Sequence, residues 1–323
     1  MGVKENILDI FNENRGVCFS GQYLAKKLNV SRNAVWKAVN ELKKDGYRFE
    51  SAHRAGYCLL CDNDVLSEGE IYKNLKNADF FDIKVFKSVT STNKIARSYA
   101  SDGAKEGSVY IAQHQTEGRG RMGRSFFSPD GGGVYLSVIL RPEIPVESTP
   151  LITTAAAAAV AEVIDFLSGE KSQIKWVNDI FLNGKKVCGI LTEAATAVEE
   201  GRLDYAVLGI GINVYAPGEG FPDEIKDVAG CVFKKFKSNM KNIIAANILD
   251  NFYKYYKNLE KREFVKFYKQ KQLAVGKDIT VICANSSYNA RCTGINDDCN
   301  LIVEKENGET AVLSSGEISI RIK

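Results

Sequence analysis

The pattern that most constrains the fold is a series of three short amphipathic helices predicted before Gly46. Apolar residues repeat at helical spacing from Lys4 to Asn12 and again after Ser20 and Ser31, two residues that favour helix N-caps. The third of these helices is predicted over Arg32 to Lys44. Its inward positions carry small or apolar side chains, namely Ala34, Val35, Ala38, Val39 and Leu42.

The opposite face of the third helix carries side chains that can contact phosphates and base edges, namely Arg32, Asn33, Trp36, Lys37 and Asn40. Two short strands, 47–50 and 57–60, follow with basic Arg54 in the turn between them. Three helices and such a ribbon predict a winged helix-turn-helix in which these side chains and Arg54 bind DNA. A small helical interaction module with a solvated basic face is the alternative.

Charge is distributed unevenly along the chain. The segment from Arg15 to Arg54 has nine lysines and arginines against three acidic residues, a local charge of +6, whereas the whole chain carries +3. Such asymmetry indicates a polyanionic partner and favours the DNA-binding interpretation.

The N-terminus shows no basic region followed by an apolar stretch, so no secretory signal is expected. The most apolar stretch, 151–167, contains polar residues and predicts a buried helix, and a cytoplasmic protein follows. The eight cysteines are scattered and are expected to be reduced. Cys58 and Cys61 have zinc-ligand spacing near His53, but a second close pair is missing, so no protein metal site is predicted.

After a polar segment expected to be a linker, 62–69, strands alternate with helices. The predicted strands are 82–86, 108–113 and 133–140, and the predicted helices are 93–101 and 149–167. This order indicates an α+β domain with a mixed sheet. Further on, a helix is expected over 252–272, and short strands at 278–282, 290–295, 301–303 and 318–322 predict a small SH3-like barrel. That barrel is either a structural cap or a docking element.

A loop rich in glycine and arginine, Gly118 to Arg124, lies between two apolar strands. Its glycines allow close backbone approach, and Arg119, Arg121 and Arg124 supply donors suited to phosphate or carboxylate. It matches neither a Walker loop nor a dinucleotide-binding fingerprint. Its place between strands favours an active-site loop over a nucleic-acid-binding tail.

A hairpin with its turn at Asn183–Gly184 carries Asn178 and Asp179 on one arm and Lys186 on the other. The alternative is a surface hairpin with solvated charges, but flanking apolar residues indicate partial burial. The following strand, 207–214, contains Gly209 and Gly211, which permit a ligand to approach the backbone.

These segments occur in the order seen in biotin protein ligases: Ser91-Thr92-Asn93, Gln115 with Gly118 to Arg124, Lys175 to Asp179, Lys186 to Leu191, and Gly209 to Asn213. With the winged helix, the chain resembles the bifunctional biotin ligases and biotin-operon repressors over nearly its whole length. The resemblance implies a DNA-binding domain over 1–65, a catalytic domain over 66–271 and an SH3-like domain over 272–323.

The resemblance implies that biotin and ATP, with Mg²⁺, form biotinyl-5'-adenylate, and that a lysine of a biotin carboxyl carrier protein then takes the biotinyl group. It implies a homodimer that binds operator DNA and represses biotin genes when it holds the adenylate, so that biotin is also the corepressor precursor. A lipoate-type ligase and a ligand-sensing transcription factor without ligase activity are the alternatives.

The resemblance also assigns roles to residues. The catalytic residues would be Arg119, Arg121, Asp179 and Lys186. Asp179 would orient or deprotonate the incoming lysine, and Lys186 would bridge the carboxylate and the α-phosphate. Biotin would contact Ser91, Thr92, Asn93, Gln115, Arg119, Gly120, Arg121, Lys186, Gly209 and Gly211. The nucleotide would contact Arg121, Arg124, Phe126, Trp176, Asn178, which helps with magnesium, and Asn213. The family often has proline at Val177 and tryptophan at Phe126, which leaves the adenine contacts of Phe126 open.

Overall fold

The computed structural model describes residues 2–14, 16–52, 56–60, 64–197, 202–283, 286–314 and 319–322. Three sheets follow one another along the chain, with three, seven and five strands. They form a winged helix-turn-helix, a mixed-sheet domain and an antiparallel domain, which is the predicted fold class.

The N-terminal domain has the predicted helices. They are α1 (Val3–Glu13), α2 (Gly21–Leu28) and α3 (Arg32–Lys44), with strands β1 (Cys18–Phe19), β2 (Phe49–Ala52) and β3 (Gly56–Leu59). The side chains of Ser20 and Ser31 accept hydrogen bonds from the backbone N–H groups of Tyr23 and Ala34, both at 3.1 Å, so both predicted N-caps are confirmed. The inward positions Val35 and Leu42 are fully buried.

The prediction that all cysteines are reduced is wrong for one pair, because Cys18 and Cys58 form a disulfide. The two residues lie directly opposite each other where β1 pairs with β3, a strand pairing that the sequence pattern did not indicate. They are 40 residues apart, so the bond closes a long loop, which stabilises the folded domain by about 4 kcal/mol in the loop-entropy model. Cys58 is therefore not available to zinc; Cys61 and His53 lie outside the described residues.

The central sheet is mixed, as predicted. Its strands are β4 (Asp82–Val89), β5 (Ser108–Gln115), β6 (Gly133–Leu140), β7 (Gln173–Lys175), β8 (Asp179–Leu182), β9 (Lys185–Ala197) and β10 (Arg202–Asn213). They lie in the order β4-β5-β6-β10-β9-β8-β7, and β4 and β5 pair in parallel while the other pairs are antiparallel. The predicted hairpin is β8–β9, where Asn183 (φ 51°) and Gly184 (φ 74°) make the turn.

Helices cover both faces of this sheet. They are α4 (Glu68–Asn74), α5 (Thr92–Ser101), α6 (Thr149–Ser168), α7 (Met240–Tyr256) and α8 (Val265–Gln270). Val138 packs in the large core with α6 and α7, whereas the next residue of β6, Ile139, packs with α5. The two faces of the sheet therefore have separate cores, and α5 begins at the residues expected to bind biotin.

The long apolar helix is confirmed as a buried helix. The segment Val146–Ser168 is long and apolar enough to cross a membrane, but 72% of its most apolar window is buried inside the protein. Its alanines 155 to 159 are fully buried, because side chains this small let the helix lie close against the sheet and α7. The helix is the central element of the core.

Two predictions about the rest of this domain are wrong. The helix expected over 252–272 is interrupted, since α7 ends at Tyr256 and α8 begins at Val265, with a 3-10 turn and left-handed Arg262 (φ 53°) between them. The expected linker is packed from Asp64 onward: Asp64 accepts a hydrogen bond from the Lys241 N–H, and α4 begins at Glu68.

The C-terminal strands form an antiparallel sheet. They are β11 (Asp278–Ile282), β12 (Ser287–Ile295), β13 (Leu301–Lys305), β14 (Thr310–Leu313) and β15 (Ser319–Ile322), in the order β14-β13-β12-β11-β15. Of these, β14 was not predicted. The indole of Trp176 donates a hydrogen bond to the Cys299 carbonyl oxygen at 3.0 Å, which joins this domain to the catalytic sheet.

Candidate active site

The face of the central sheet that carries α5 also carries a cavity of about 140 Å³. Two rows of residues, paired from strand to strand, form its floor. The first row runs Ser137, Gly209, Leu191 across β6, β10 and β9. The second runs Tyr135, Gly211, Gly189, Asp179, Lys175 across β6, β10, β9, β8 and β7. Residues far apart in sequence are thereby brought side by side.

The first row supports a polar end. Gly209 has no side chain, and a Cβ there would lie 2.1 Å from the Asn93 oxygen, so the Asn93 amide rests directly on the backbone of β10. Ser137, which is fully buried, donates to that oxygen at 2.6 Å. On the other side the Asn93 NH₂ group donates to Glu193 at 2.9 Å. The Asn93 amide is therefore fixed from both ends.

The same polar end contains Thr92 and Gln115. The Thr92 N–H and hydroxyl both donate to the Gln115 carbonyl oxygen, at 2.8 and 3.1 Å, and the Gln115 NH₂ group donates to Ser128 at 2.9 Å. Ser91 and Thr92 are 1% and 3% exposed. Since Thr92, Asn93 and Gln115 are held by these hydrogen bonds, the end is pre-organised for a ligand with several donors and acceptors.

The second row supports an aromatic floor. Cβ atoms at Gly189 and Gly211 would lie 3.1 and 2.6 Å from the Phe126 ring, so both glycines are needed for this ring to lie flat against the sheet. Tyr135 meets Phe126 edge to face at 6.4 Å. Asn93 and Phe126 thus lie over these glycines, and Gly209 and Gly211 line the cavity together with them.

The far end of the second row is charged. The Lys186 ammonium lies 2.7 Å from Asp179 Oδ1, and their side chains are 33% and 22% exposed, so the predicted partial burial of the hairpin is confirmed. That Asp179 oxygen is shielded from solvent and accepts no well-aligned hydrogen bond from the described residues. Burial lowers the pKa of Lys175 and that of Arg121, in both cases against the nearby charge of Asp179. Cations with so little hydration attract an incoming anion strongly.

The arginine-rich loop is ordered around a tight turn. Phe126 donates its N–H to the Gly118 carbonyl oxygen at 2.8 Å, and Gly120 donates to the Arg124 carbonyl oxygen at 2.7 Å. At the tip Arg121 to Gly123 form one 3-10 turn in which Met122 has φ 56°. Arg119 points to Glu193 at 3.1 Å, and Arg121 donates to Asn178 at 3.4 Å. The loop thus places one arginine at each end of the cavity.

Replacing Gly118 with alanine is expected to lower the rate of the reaction that this site catalyses by about 10-fold or more, because a misplaced loop loses catalytic alignment. The new Cβ would lie 2.2 Å from the Phe126 carbonyl oxygen, which is backbone and cannot rotate away. Gly218→Ala is the control, since a Cβ there would have no atom within 4 Å and the residue does not line the cavity. Initial rates of both variants test this, and an equal loss in the two would contradict it.

The cavity brings together nearly all of the predicted site residues. Those that line it are Ser91, Thr92, Asn93, Gln115, Arg119, Gly120, Arg121, Arg124, Phe126, Trp176, Asn178, Asp179, Lys186, Gly209 and Gly211. Asn213 does not belong to its lining, and its amide donates instead to the Gly230 carbonyl oxygen at 3.0 Å. Trp176 is only 4% exposed, so little of its ring can meet a ligand.

Sequence reasoning missed several residues of the site. Lys175 and Ile320 line the cavity, and Ser137 and Glu193 hold Asn93 from behind. Lys175 lies in the segment Lys175 to Asp179, which the sequence already indicated. Glu193 is a charged residue in a mostly apolar strand, and this pattern could have indicated that it belongs to the site. The others depend on strand pairing, which the sequence does not display.

The predicted DNA-binding face is exposed. Trp36 on α3 is 53% exposed, and Arg32, Asn33 and Lys37 are exposed with it, while Asn40 is half-buried. Arg54 lies outside the described residues.

Three family models match the chain. Residues 85–213 match the biotin/lipoate A/B protein ligase family, residues 3–58 an HTH domain, and residues 275–321 the biotin protein ligase C-terminal domain. The bifunctional ligase/repressor BirA of Bacillus subtilis is 36% identical over 318 residues, which is 97% of each chain. The BirA of Bacillus spizizenii is 35% identical over the same shares.

A solved structure supports the same relationship. The biotin protein ligase from Aquifex aeolicus in complex with biotin and ATP is 26% identical, with a TM-score of 0.63, over 75% of this chain and 99% of that one. A quarter of this chain is not covered by that structure, which leaves room for the N-terminal helix-turn-helix. The two Bacillus relatives, in contrast, match this chain over nearly its whole length. The chain therefore belongs to the family of biotin protein ligases that carry an N-terminal helix-turn-helix repressor domain.

Proposed function

We propose that this protein activates biotin with ATP, transfers the biotinyl group to a lysine of a biotin carboxyl carrier protein, and binds operator DNA as a biotin-responsive repressor. The observation that carries the ligase activity is the cavity with a pre-organised polar end and a cationic end, joined by Phe126. That pattern suits a ligand with a polar ring, an apolar chain and a carboxylate.

In the first step a carboxylate oxygen of biotin attacks the α-phosphorus of ATP, the P–O bond to pyrophosphate breaks, and a mixed anhydride forms. Two anions must approach each other, so cations between them lower the barrier. Lys186 and Arg121 lie at the end of the cavity where the two anions would meet. Arg121 is partly desolvated, as the lowering of its pKa by burial indicates, so little water competes with an anion for its guanidinium group. We assign Lys186 to the bridge between carboxylate and α-phosphate and Arg121 to the phosphates and carboxylate. Arg119 is proposed to join them as the loop closes, which requires its side chain to leave Glu193 at the polar end.

In the second step the carrier lysine attacks the carbonyl carbon of the anhydride, an amide forms, and AMP leaves. The attacking amine must be neutral, so a nearby carboxylate is needed to orient it or take its proton. We assign this role to Asp179, because its carboxylate lines the cavity at the cationic end, where the mixed anhydride would form. Arg124 and Phe126 line the remaining wall and are proposed to meet the nucleotide.

Magnesium would enter with the nucleotide. No cluster of three or more metal-binding side chains occurs among the described residues, which fits a cation held mainly by phosphate oxygens. Asn178 and Asp179 are the oxygen-bearing side chains at the cationic end that could help to hold it. Bound there, Mg²⁺ would neutralise phosphate charge.

The repressor activity rests on α3, whose exposed face carries the candidate base and phosphate contacts. One winged helix reads one half-site, so we propose that the adenylate-bound protein binds DNA as a homodimer. ATP and genomic DNA are intracellular, and we place the protein in the cytoplasm.

Incubation with biotin, ATP, Mg²⁺ and purified carrier protein tests the ligase. We expect AMP, pyrophosphate and one biotinyl group on the carrier, with lipoate a far poorer substrate. Equal use of lipoate would favour a lipoate-type ligase, and absence of AMP with either acid would favour a ligand sensor without ligase activity.

A further inference from the structure

Glu193 on β9 joins the polar end of the cavity to two arginines. Its carboxylate accepts hydrogen bonds from Asn93 at 2.9 Å, from Arg119 at 3.1 Å and from Arg97 at 3.3 Å. Its side chain is 20% exposed. Glu193 follows Leu191 by two residues on β9, so the two side chains lie on the same face of the sheet. It does not line the cavity, so it can act on a ligand only through its neighbours.

The Asn93 side-chain amide has a donor end, the NH₂ group, and an acceptor end, the oxygen. Glu193 sets the orientation of this amide. An ionised carboxylate only accepts hydrogen bonds, so the NH₂ group of Asn93 must turn toward Glu193. The Asn93 oxygen is then held over Gly209, where Ser137 donates to it at 2.6 Å. Serine could donate or accept and would tolerate either orientation. The Leu191 carbonyl oxygen also accepts from the Asn93 NH₂ group, but only at 3.5 Å, so Glu193 at 2.9 Å is the main determinant.

A carbonyl oxygen can accept two hydrogen bonds, and Ser137 supplies one to Asn93. Asn93 lines the cavity, and among the described residues Ser137 is the one hydrogen-bond donor to its oxygen, so the second acceptor position is left for a ligand N–H. The cyclic urea of biotin carries two N–H donors. With the amide reversed, an NH₂ group would face those donors and no hydrogen bond could form.

We propose that Glu193 is a positioning residue for biotin recognition: by holding the Asn93 NH₂ group, it presents the Asn93 oxygen to a ureido N–H of biotin. The inference rests on the proposed function, because it takes biotin as the ligand of the polar end. It gives the site a hydrogen-bond polarity that selects a urea ring over a ring without N–H donors.

Glu193→Gln tests the inference, because glutamine can donate as well as accept and so allows the Asn93 amide to turn over. Loss of one buried hydrogen bond with its donor left unpaired is expected to weaken biotin binding by about 10-fold or more. Isothermal titration calorimetry with biotin, without ATP, measures this. Thermal unfolding of the full-length variant is expected to match that of the parent protein.

The double variant Glu193→Gln with Asn93→Asp separates positioning from a merely structural role. Here the glutamine NH₂ group can donate to the new carboxylate, whose other oxygen then takes the place of the Asn93 oxygen. The total charge is that of the parent, and biotin affinity is expected to recover to within about 3-fold, since the hydrogen-bond pattern is restored with its polarity exchanged. Arg97→Ala, which removes an exposed partner of Glu193 and leaves Asn93 untouched, is expected to bind biotin like the parent.

Unchanged affinity in Glu193→Gln, or no recovery in the double variant, would overturn the assignment of Glu193 while the ligase function stands. Failure of the parent protein itself to bind biotin would overturn the proposed function and this inference with it. Recovery in the double variant is the result that a role confined to Arg97 and Arg119 could not produce.

Discussion

Lys186→Ala is expected to lower the rate of biotinyl-adenylate formation by about 100- to 1,000-fold, since this lysine is assigned to the developing charge between carboxylate and α-phosphate. The fold should survive. The Lys186–Asp179 ion pair is only partly buried, and Lys175 and Arg121 remain near Asp179 to offset the charge of its shielded oxygen. The substitution is therefore expected to lower the rate of adenylate formation and to leave the free energy of unfolding nearly unchanged.

Pyrophosphate release with biotin and ATP measures the first step. Supplying preformed biotinyl-adenylate and carrier protein measures the second, which is expected to fall much less. Lys185→Ala is the matched control, because its ammonium donates to the Asp227 carbonyl oxygen, outside the cavity. A Lys186→Ala protein that releases pyrophosphate at the parent rate would remove Lys186 from the mechanism.

Local signals in the sequence predicted local structure well. Ser20 and Ser31 cap the helices that their positions indicated, because a cap depends on residues three positions apart. Asn183 and Gly184 make the predicted turn for the same reason, since both adopt positive φ in a two-residue hairpin.

Features that depend on strand pairing escaped prediction. Lys175 faces Asp179 because β7 pairs with β8, and Cys18 meets Cys58 because β1 pairs with β3. The two-residue strand β1 is too short to show a period, so neither its existence nor its register could be inferred. The residues taken from the family resemblance make up most of the cavity lining. The assignment of Asn213 to the nucleotide stays a prediction; in this structure its amide donates to the Gly230 carbonyl oxygen.

The structure also sharpens where the DNA-binding domain can be separated. Asp64 accepts the Lys241 N–H, and the Asn242 side chain accepts the Ser67 N–H, so the segment from Asp64 onward packs on the catalytic domain. In contrast, the contact between α3 and β4 includes an ion pair from Asp45 to Lys87 at 3.5 Å, in which the Lys87 side chain is 59% exposed. A deletion should therefore remove residues 1–63 and keep Asp64.

Deleting residues 1–63 is expected to abolish sequence-specific DNA binding and to leave adenylation and ligation within about 3-fold of the parent, since the cavity lining begins at Ser91 and the lost Asp45–Lys87 ion pair is a surface pair. Selection from a random duplex library, with biotin and ATP present, identifies the site bound by the parent. Fluorescence anisotropy at one fixed salt concentration then compares the deletion with the parent, because salt alone changes such affinities strongly.

The double variant Arg32→Ala with Lys37→Ala distinguishes direct contact from loss of a whole domain. Both side chains are exposed on α3, so the domain should remain folded while its phosphate and base contacts weaken. We expect an affinity loss of about 100-fold or more, with ligase rates unchanged, because each such contact contributes about 1–3 kcal/mol. If the deletion variant still binds the selected DNA, the recognition surface lies outside residues 1–63. If the deletion variant does not bind but the double variant does, DNA is recognised through the wing and not through α3.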